Sequence, residues 1–292
     1  MSTVTPPAPP VGPVPPVPPV PPAQGLPAQP SPPATPTSRV VAIVAMVIGG
    51  ILLLGAAGWA VASTIFSANV RSSTATVAVS GVQDLEVDVS AGTLRVEFAD
   101  VDDAELDVRG PFGADRWTFA RDGEELRIES PRLFGMSWLF DGASDAVLRL
   151  PLALEGLDAD LSLSAGDLSA TGSFGELSVD VSAGRVEVEG AANDVSVDVS
   201  AGRADLDIDG VRAGDLTVSA GDIFASFTGA PPRELALEVS AGSLRLDVPD
   251  GAYDVRSDVS AGSFNNRIGS TPGAANTVTV TVSAGSAELS AR

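Results

Sequence analysis

The sequence predicts an all-β fold: a β-solenoid of stacked repeats with Ser-Ala-Gly corners, preceded by one transmembrane helix and a disordered Pro-rich tail. Three observations predict it. The tripeptide Ser-Ala-Gly recurs at Ser90, Ser164, Ser182, Ser200, Ser219, Ser240, Ser260 and Ser283, with steps of 18, 18, 19, 21, 20 and 23 residues from Ser164 onward. A fixed motif at a period near 20 marks a repeat architecture. Aligned on that tripeptide, the flanking residues alternate apolar and polar, which is the period of a half-buried strand. Upstream, residues 40–66 form a run of 27 without a charge, and 16 of the 23 prolines lie between Pro6 and Pro36.

Residues 1–39 form the first element. Proline fixes φ and removes a donor, so neither helix nor sheet is open to PPAPPVGPVPPVPPVPP. An extended polyproline II tail is expected, acting as a spacer, with docking into a PxxP-type groove as the functional alternative. Residues 40–66 are long enough and apolar enough for a helix to span a bilayer, which takes about 20 residues. A cleaved signal peptide is the rival, with Ala60-Val61-Ala62 resembling a cleavage site. The long, nearly uncharged start and the length of the run favour an uncleaved anchor. Arg39 and Arg71 flank the run and nearly tie the positive-inside count, so orientation leans on the free amino terminus. The expected arrangement is a single-pass cell-membrane protein with its N-terminus cytoplasmic and its C-terminal domain extracytoplasmic. Residues 67–81 are read as a linker, and residues 82–292 as the extracytoplasmic domain.

Within that domain the residue before each Ser is Val89, Leu163, Val181, Val199, Val218, Val239, Val259 or Val282. Two positions earlier stand Val87, Leu161, Val179, Val197, Leu216, Leu237, Ser257 and Val280, with Ser257 the exception. The residues between them are all polar. After the glycine, Leu94, Leu168, Val186, Ala204, Ile223, Leu244, Phe264 and Ala287 begin a second apolar column. Val181 and Val186 are five apart, an odd step. Both can face inward only if the chain bends at the motif, which is therefore a corner. Second turns are expected at Glu189-Gly190, Asp209-Gly210, the Gly229 to Pro232 stretch and Asp250-Gly251. One repeat cannot bury its own apolar face, whereas stacked repeats can. Parallel stacking aligns identical motifs in columns. An antiparallel array is the alternative. Residues 116–129, alternating around Asp122-Gly123, read as a β-hairpin.

Composition closes off many functions. The chain has neither His nor Cys, and its 17 basic residues are all Arg. Ser-His-Asp and Cys-His catalysis, Cys/His zinc sites, disulfides and lysine Schiff bases are excluded. Residues 1–71 hold no acid, so all 38 carboxylates face 15 Arg in the remainder. Nucleic acid is not an expected partner of such a surface. No cofactor is expected.

The order of segments is similar to that of a known family. An apolar anchor, DLEVDVSAGTLRVE, the hairpin RWTFARDGEELRIE, then VLRLPLALEGLDADLSLSAGDLSA and the Gly-punctuated repeats resemble the bacterial adhesin-type extracytoplasmic domains of the toastrack-type β-solenoid family. The resemblance covers about residues 82–292 and carries no catalytic signature. It implies a right-handed β-solenoid-like domain acting in adhesion or envelope sensing.

Four groups of residues are candidate sites. Stacking would bring Asp180 beside Asp198 and Glu238 beside Asp258, where Ca²⁺ would relieve the repulsion; a solvated acidic face is the alternative. Asp167, Arg185, Arg203 and Asp222 form a charged ladder just after the corner glycines, expected to pair at both ends and set register, with a glycan- or anion-binding role for the paired Arg as the functional alternative. Phe134, Met136, Trp138 and Phe140 form an aromatic-rich segment, read as a cap over the end of the stack or as a partner-binding loop. Asp100, Asp102 and Asp103 are the nearest approach to a carboxylate pair for glycoside chemistry, at a turn where solvated acids are ordinary.

The expectation is a non-enzymatic protein. It contacts the lipid bilayer through residues 40–66 and displays its acidic domain for adhesion, binding or cell-envelope interaction, with cell-wall or surface glycan or protein as partner. The alternatives are an envelope-stress sensor or regulator whose Pro-rich tail contacts cytoplasmic partners, and a membrane-proximal spacer.

Overall fold

A computed structural model describes residues 71–110, 116–131 and 144–292. The Pro-rich tail, the 40–66 run and the segment bearing Phe134, Met136, Trp138 and Phe140 lie outside the described residues. Among the described residues no helix is long and apolar enough to cross a membrane.

The described chain is all-β, with 21 strands in two sheets and a 3-10 turn at Leu152–Leu154. The first part comprises β1 (Arg71–Val77), β2 (Asp84–Val89), β3 (Thr93–Ala99), β4 (Ala104–Gly110), β5 (Thr118–Asp122), β6 (Glu125–Glu129) and β7 (Asp145–Pro151). The repeats supply β8 (Asp158–Leu163), β9 (Asp167–Ser173), β10 (Glu176–Val181), β11 (Arg185–Ala191), β12 (Asp194–Val199), β13 (Arg203–Asp209) and β14 (Ala213–Val218). They continue with β15 (Asp222–Thr228), β16 (Glu234–Val239), β17 (Ser243–Val248), β18 (Tyr253–Val259), β19 (Ser263–Asn266), β20 (Asn276–Val282) and β21 (Ser286–Ala291). The first sheet has the order β1-β4-β7-β3-β9-β11-β13-β15-β17-β21-β19, and the second β18-β20-β16-β14-β12-β10-β8-β2-β6-β5. From β8 onward, successive strands alternate between the sheets, so each repeat gives one strand to each.

Equivalent strands of successive repeats pair in parallel and in motif register. Val179 faces Val197, and Val181 faces Val199. On the other sheet Val186 faces Ala204 and Val188 faces Leu206. Antiparallel pairing is confined to the N-terminal end, where β4 lies between β1 and β7 and β5 folds back on β6. The β5-β6 hairpin is the one expected around Asp122-Gly123, with Gly123 at φ +64°, a conformation that favours glycine. Residues 71–77, within the stretch read as a linker, are the edge strand β1.

The tripeptide is a corner, for a steric reason. Val181 and Val186 flank it and both are fully buried, so the odd step is absorbed by the bend. Corner stacks on corner through the backbone. The Ala183 N–H donates to the Ser164 carbonyl (3.0 Å) and the Arg185 N–H to the Gly166 carbonyl (2.9 Å). A Cβ placed on Gly202 would sit 2.7 Å from the Gly184 carbonyl oxygen and 2.6 Å from a Val181 methyl. Glycine is kept there by the close approach of the preceding rung, and small Ser and Ala leave the stacking free. Of the second turns, Glu189-Gly190 falls inside β11 and the chain turns after Ala191, because the strand continues in register to Ala191. The other three expected sites are turns or bends.

The apolar columns meet between the sheets. Leu161, Val181, Val199, Ile223, Val239, Leu246 and Val280 are each 0 % exposed. Val259, expected in the same column, is 39 % exposed. Its displacement follows from an inversion of order: β20 lies between β16 and β18, and β21 between β17 and β19. The last two strands of the described chain thus sit inside, and the preceding pair forms the edge. Inward positions of that edge pair hold Ser257 and Asn266, whereas β20 and β21 offer Val278, Val280, Val282, Ala287 and Leu289. Sequential stacking would bury two polar side chains between apolar rungs, which costs free energy without partners. The observed order leaves Ser257 exposed and lets Asn266 bond its own loop through Gly269 and Ile268. The same end is covered by residues 267–275: Ser270 hydrogen-bonds both backbone groups of Val255, and Ile268 packs on the core. Tyr253 closes the corner, donating to the Pro249 carbonyl (2.8 Å); burial, with Asp250 nearby, pushes its phenol up to about 12.

Candidate functional site

With the apolar columns turned inward, alternation sends the polar residues of every strand outward in rows that run across the rungs. These two outward faces carry the exposed chemistry of the repeats.

On the second sheet the rows are acidic. Asp180 lies opposite Asp198, as expected. Glu238 and Asp258 are not neighbours: the inserted β20 places Thr281 opposite each of them. Further rows bring Glu86 opposite Asp160, and Asp84 opposite both Glu125 and Asp158. The crowding shows in the titration of these groups. Glu86 is raised, chiefly because it hydrogen-bonds to Glu125 and is partly desolvated; Glu125 is lowered as the acceptor of that bond and by Arg127. Asp160 is raised by burial and by the charge of Asp180. Arg127 bridges Glu86 and Glu125, at 2.7 Å from each. A shallow depression of about 340 Å³ lies here, between Asp84, Glu86, Asp158, Asp160 and Glu176. Among the described residues no group of three or more carboxylates is arranged to hold a metal ion. Asp100, Asp102 and Asp103 are exposed around the turn between β3 and β4.

The first sheet mixes signs. The ladder Asp167, Arg185, Arg203, Asp222 is in register as expected. Its arginines, however, do not close ion pairs with the terminal aspartates. Arg203 instead grips Asp205, two residues along its own strand, through Nε and Nη2 (2.7 Å each), and Arg185 approaches Asp205 at 4.0 Å. Side chains two apart on a strand share a face, and that local reach wins over the cross-strand neighbour.

Next to this ladder stands Phe224, an aromatic on an outward row. Its register neighbours are Asp205 on β13 and Arg245 on β17. The Arg203 guanidinium lies 4.1 Å from the ring centroid and that of Arg245 5.4 Å, from strands on opposite sides. Such stacking is worth about 0.5–1 kcal/mol per contact at exposed sites. Arg245 also gives Nε to Glu288 on the inserted strand (3.2 Å), and Arg267 reaches the same carboxylate at 2.8 Å. A depression of about 260 Å³ opens beside the ring, lined by Glu187, Glu189, Asp207, Ser226 and Asp247 in addition to Phe224 and Arg245. Arg292 crosses its margin to Asp207 (3.3 Å) and Ser226. The sequence reading did not single out Phe224 or Arg245. The available signal was the third residue after each corner glycine, which is polar or charged in every other copy and Phe only here.

At the N-terminal end, Thr74 donates to Asp107 and Arg149 pairs with Asp107 and Glu97. The Thr74 hydroxyl and then Arg149 hold the Asp107 carboxyl below the usual range.

No protein-family model matches the chain, and no curated protein does. Solved structures do. A protein of Clostridium sporogenes described as a "putative cell adhesion protein" is 12% identical with a TM-score of 0.35, over 76% of this chain and all of its own. A "putative adhesin" of Bacteroides fragilis is 12% identical with a TM-score of 0.45, over 76% of this chain and 97% of its own. A "putative lipid binding protein" of Parabacteroides distasonis is 14% identical with a TM-score of 0.38, over 75% of this chain and 96% of its own. What this chain is similar to is thus a set of bacterial proteins, most of them named for adhesion, at low sequence identity.

Proposed function

We propose that the protein is a non-enzymatic, single-pass membrane protein that displays an acidic extracytoplasmic β-solenoid for adhesion or cell-envelope binding. The observation that carries this reading is the register of the repeats. Corner stacked on corner sends the polar residues of each rung into rows on two outward faces, a surface built by repetition and suited to contact with an extended partner. The 40–66 run supports the anchor by length and apolarity alone. The absence of His, Cys and Lys from the sequence supports binding over catalysis. The test is adherence of intact cells to isolated cell wall and to glycan-coated surfaces, with and without the chain and with residues 82–292 deleted. Loss of adherence in both altered strains is expected. Unchanged adherence in the strain lacking the chain refutes the reading.

A further inference from the structure

We propose that the β18-β19 end of the stack is a docking surface for a second copy of this chain, related to the first by a two-fold axis. The backbone of that end is only half used. β18 has a neighbouring strand on one side, β20, and none on the other. Alternate residues of a strand turn both backbone groups to the same side. Those of β18 turned away from β20 include Tyr253 and Val255. Thr271 N–H donates to the Tyr253 carbonyl (2.7 Å), while the Val255 N–H donates to the Ser270 hydroxyl, which donates in turn to the Val255 carbonyl. The next two in that series, Ser257 and Val259, meet no such partner among the described residues. Residues 256–263 are all exposed, and the Val259 side chain, at the end of an apolar column, is 39 % exposed. An unpaired edge beside an exposed apolar side chain is a template for association with another chain.

Residues 267–275 thus blunt one half of this edge and leave the other half open, so the end is a step. A step is complementary to itself. Turned by 180° about an axis perpendicular to the sheet and near Arg256, a second copy lays its covered half over the open half of the first, and the reverse. Each loop then fills the level left vacant beyond Ser257 and Val259 of the other copy. A foreign strand fits less well, because the open part of β18 runs only from Arg256 to Val259, shorter than the usual ~5–6 residues of a strand, before Ser270 and Thr271 block its path. Charge favours the same occupant. Residues 252–275 hold Asp254 and Asp258 against Arg256 and Arg267, a balance of zero in a chain of net charge −21. The acidic outward faces of the sheets repel a second copy, and this end does not. It also lies at the opposite edge of the first sheet from β1, where the described chain begins, so two copies meet there clear of that edge.

The experiment is sedimentation equilibrium of the full chain in density-matched detergent micelles, with micelles in molar excess over protein. A monomer–dimer equilibrium with a micromolar Kd is expected at ~100 μM chain. No larger species should form, because a two-fold contact closes at two copies. Ser257→Pro removes an outward N–H that the fold does not use, a change edge strands tolerate. Val259→Asp puts a charge where the open half is apolar. Each should weaken the dimer by about tenfold or more. The chain has no Cys, so a single introduced one reports the contact. Ser257→Cys should give a covalent dimer with a short bismaleimide, and Ser196→Cys, on the exposed face of β12, should not. Thermal melts separate lost docking from lost fold, and Val259→Asp decides where Ser257→Pro fails to fold. A chain that stays monomeric at ~100 μM, where a micromolar contact is populated, overturns the proposal. So does a dimer indifferent to both variants, which would run through another surface such as residues 40–66. Ser257→Cys that crosslinks on intact cells to other proteins but never to itself overturns it in favour of a foreign strand.

Discussion

The two sheets share one core and one set of corners yet present different surfaces. The strands of the second sheet carry 17 acids and 3 Arg; those of the first carry 13 acids and 7 Arg. On the second sheet carboxylates stand opposite carboxylates, and Glu86 and Asp160 hold their protons more tightly than usual. On the first, guanidinium groups reach Asp205, Glu288 and Asp107, and Asp107 releases its proton more readily. The inward columns tie both strands of a repeat to the same packing, so the difference is confined to the outward residues. A repeat fold can therefore vary its surface without touching what holds it together.

The largest effect should come where the two sheets join. Gly202→Ala drives a Cβ into the Gly184 carbonyl and a Val181 methyl. It should destabilise both sheets together by about 3 kcal/mol or more, or prevent folding. Urea denaturation followed by circular dichroism measures it, and a loss under 1 kcal/mol would remove the steric account of the corner.

Within the shared core, Leu161→Ala on the second sheet and Leu246→Ala on the first leave comparable cavities at fully buried sites. Each should cost about 2–5 kcal/mol. Similar midpoints would show that the core does not distinguish the sheets; a tolerant first sheet would show that it does.

The outward faces should respond to charge in opposite directions. Asp160 is raised by its burial and by the charge of Asp180, and it stands opposite Glu86, so Asp160→Asn should stabilise at pH 7 by about 0.2–1 kcal/mol. The sign follows from linkage. A carboxyl whose folded value is raised weakens the fold when ionised, so the gain from Asn is full at neutral pH. It shrinks as pH falls through the raised value and vanishes below the ordinary carboxylate range. Asp107→Asn should do the reverse. Its folded value is depressed, so the wild-type contribution is present above the ordinary value and disappears as pH falls through the depressed one. At this half-buried pair the loss at pH 7 should be about 0.2–1 kcal/mol, shrinking in salt. Melting curves between pH 3 and pH 7 test both, and a common sign for the two variants would dissolve the contrast.

Much of this was legible in the residues. Short strands, the corner at Ser-Ala-Gly and the inward columns are local periodicities, and a period of two beside a glycine needs no tertiary knowledge to be read. Even the end of the stack left a mark, since Ser257 and Asn266 break the apolar columns. The sites were less visible. Counting repeats in sequence order puts Glu238 beside Asp258, but β20 separates them. Register alone pairs the ladder's arginines with their cross-strand neighbours, whereas Arg203 closes on Asp205 and Arg185 leans toward the same carboxylate.

Side-chain size and polarity over a few neighbouring positions were enough for the corner at Ser-Ala-Gly, for the inward columns as far as Val239 and for the stacking of repeats, but they misplaced the turn at Glu189-Gly190 and the burial of Val259. The insertion of the last strand pair beneath the one before it, and which guanidinium meets which carboxylate or ring, emerge only at the level of the whole fold. Those outcomes compare the free energies of whole arrangements: two polar side chains buried against two at the edge, or one acceptor reached along a strand against another across it. No local pattern encodes that comparison.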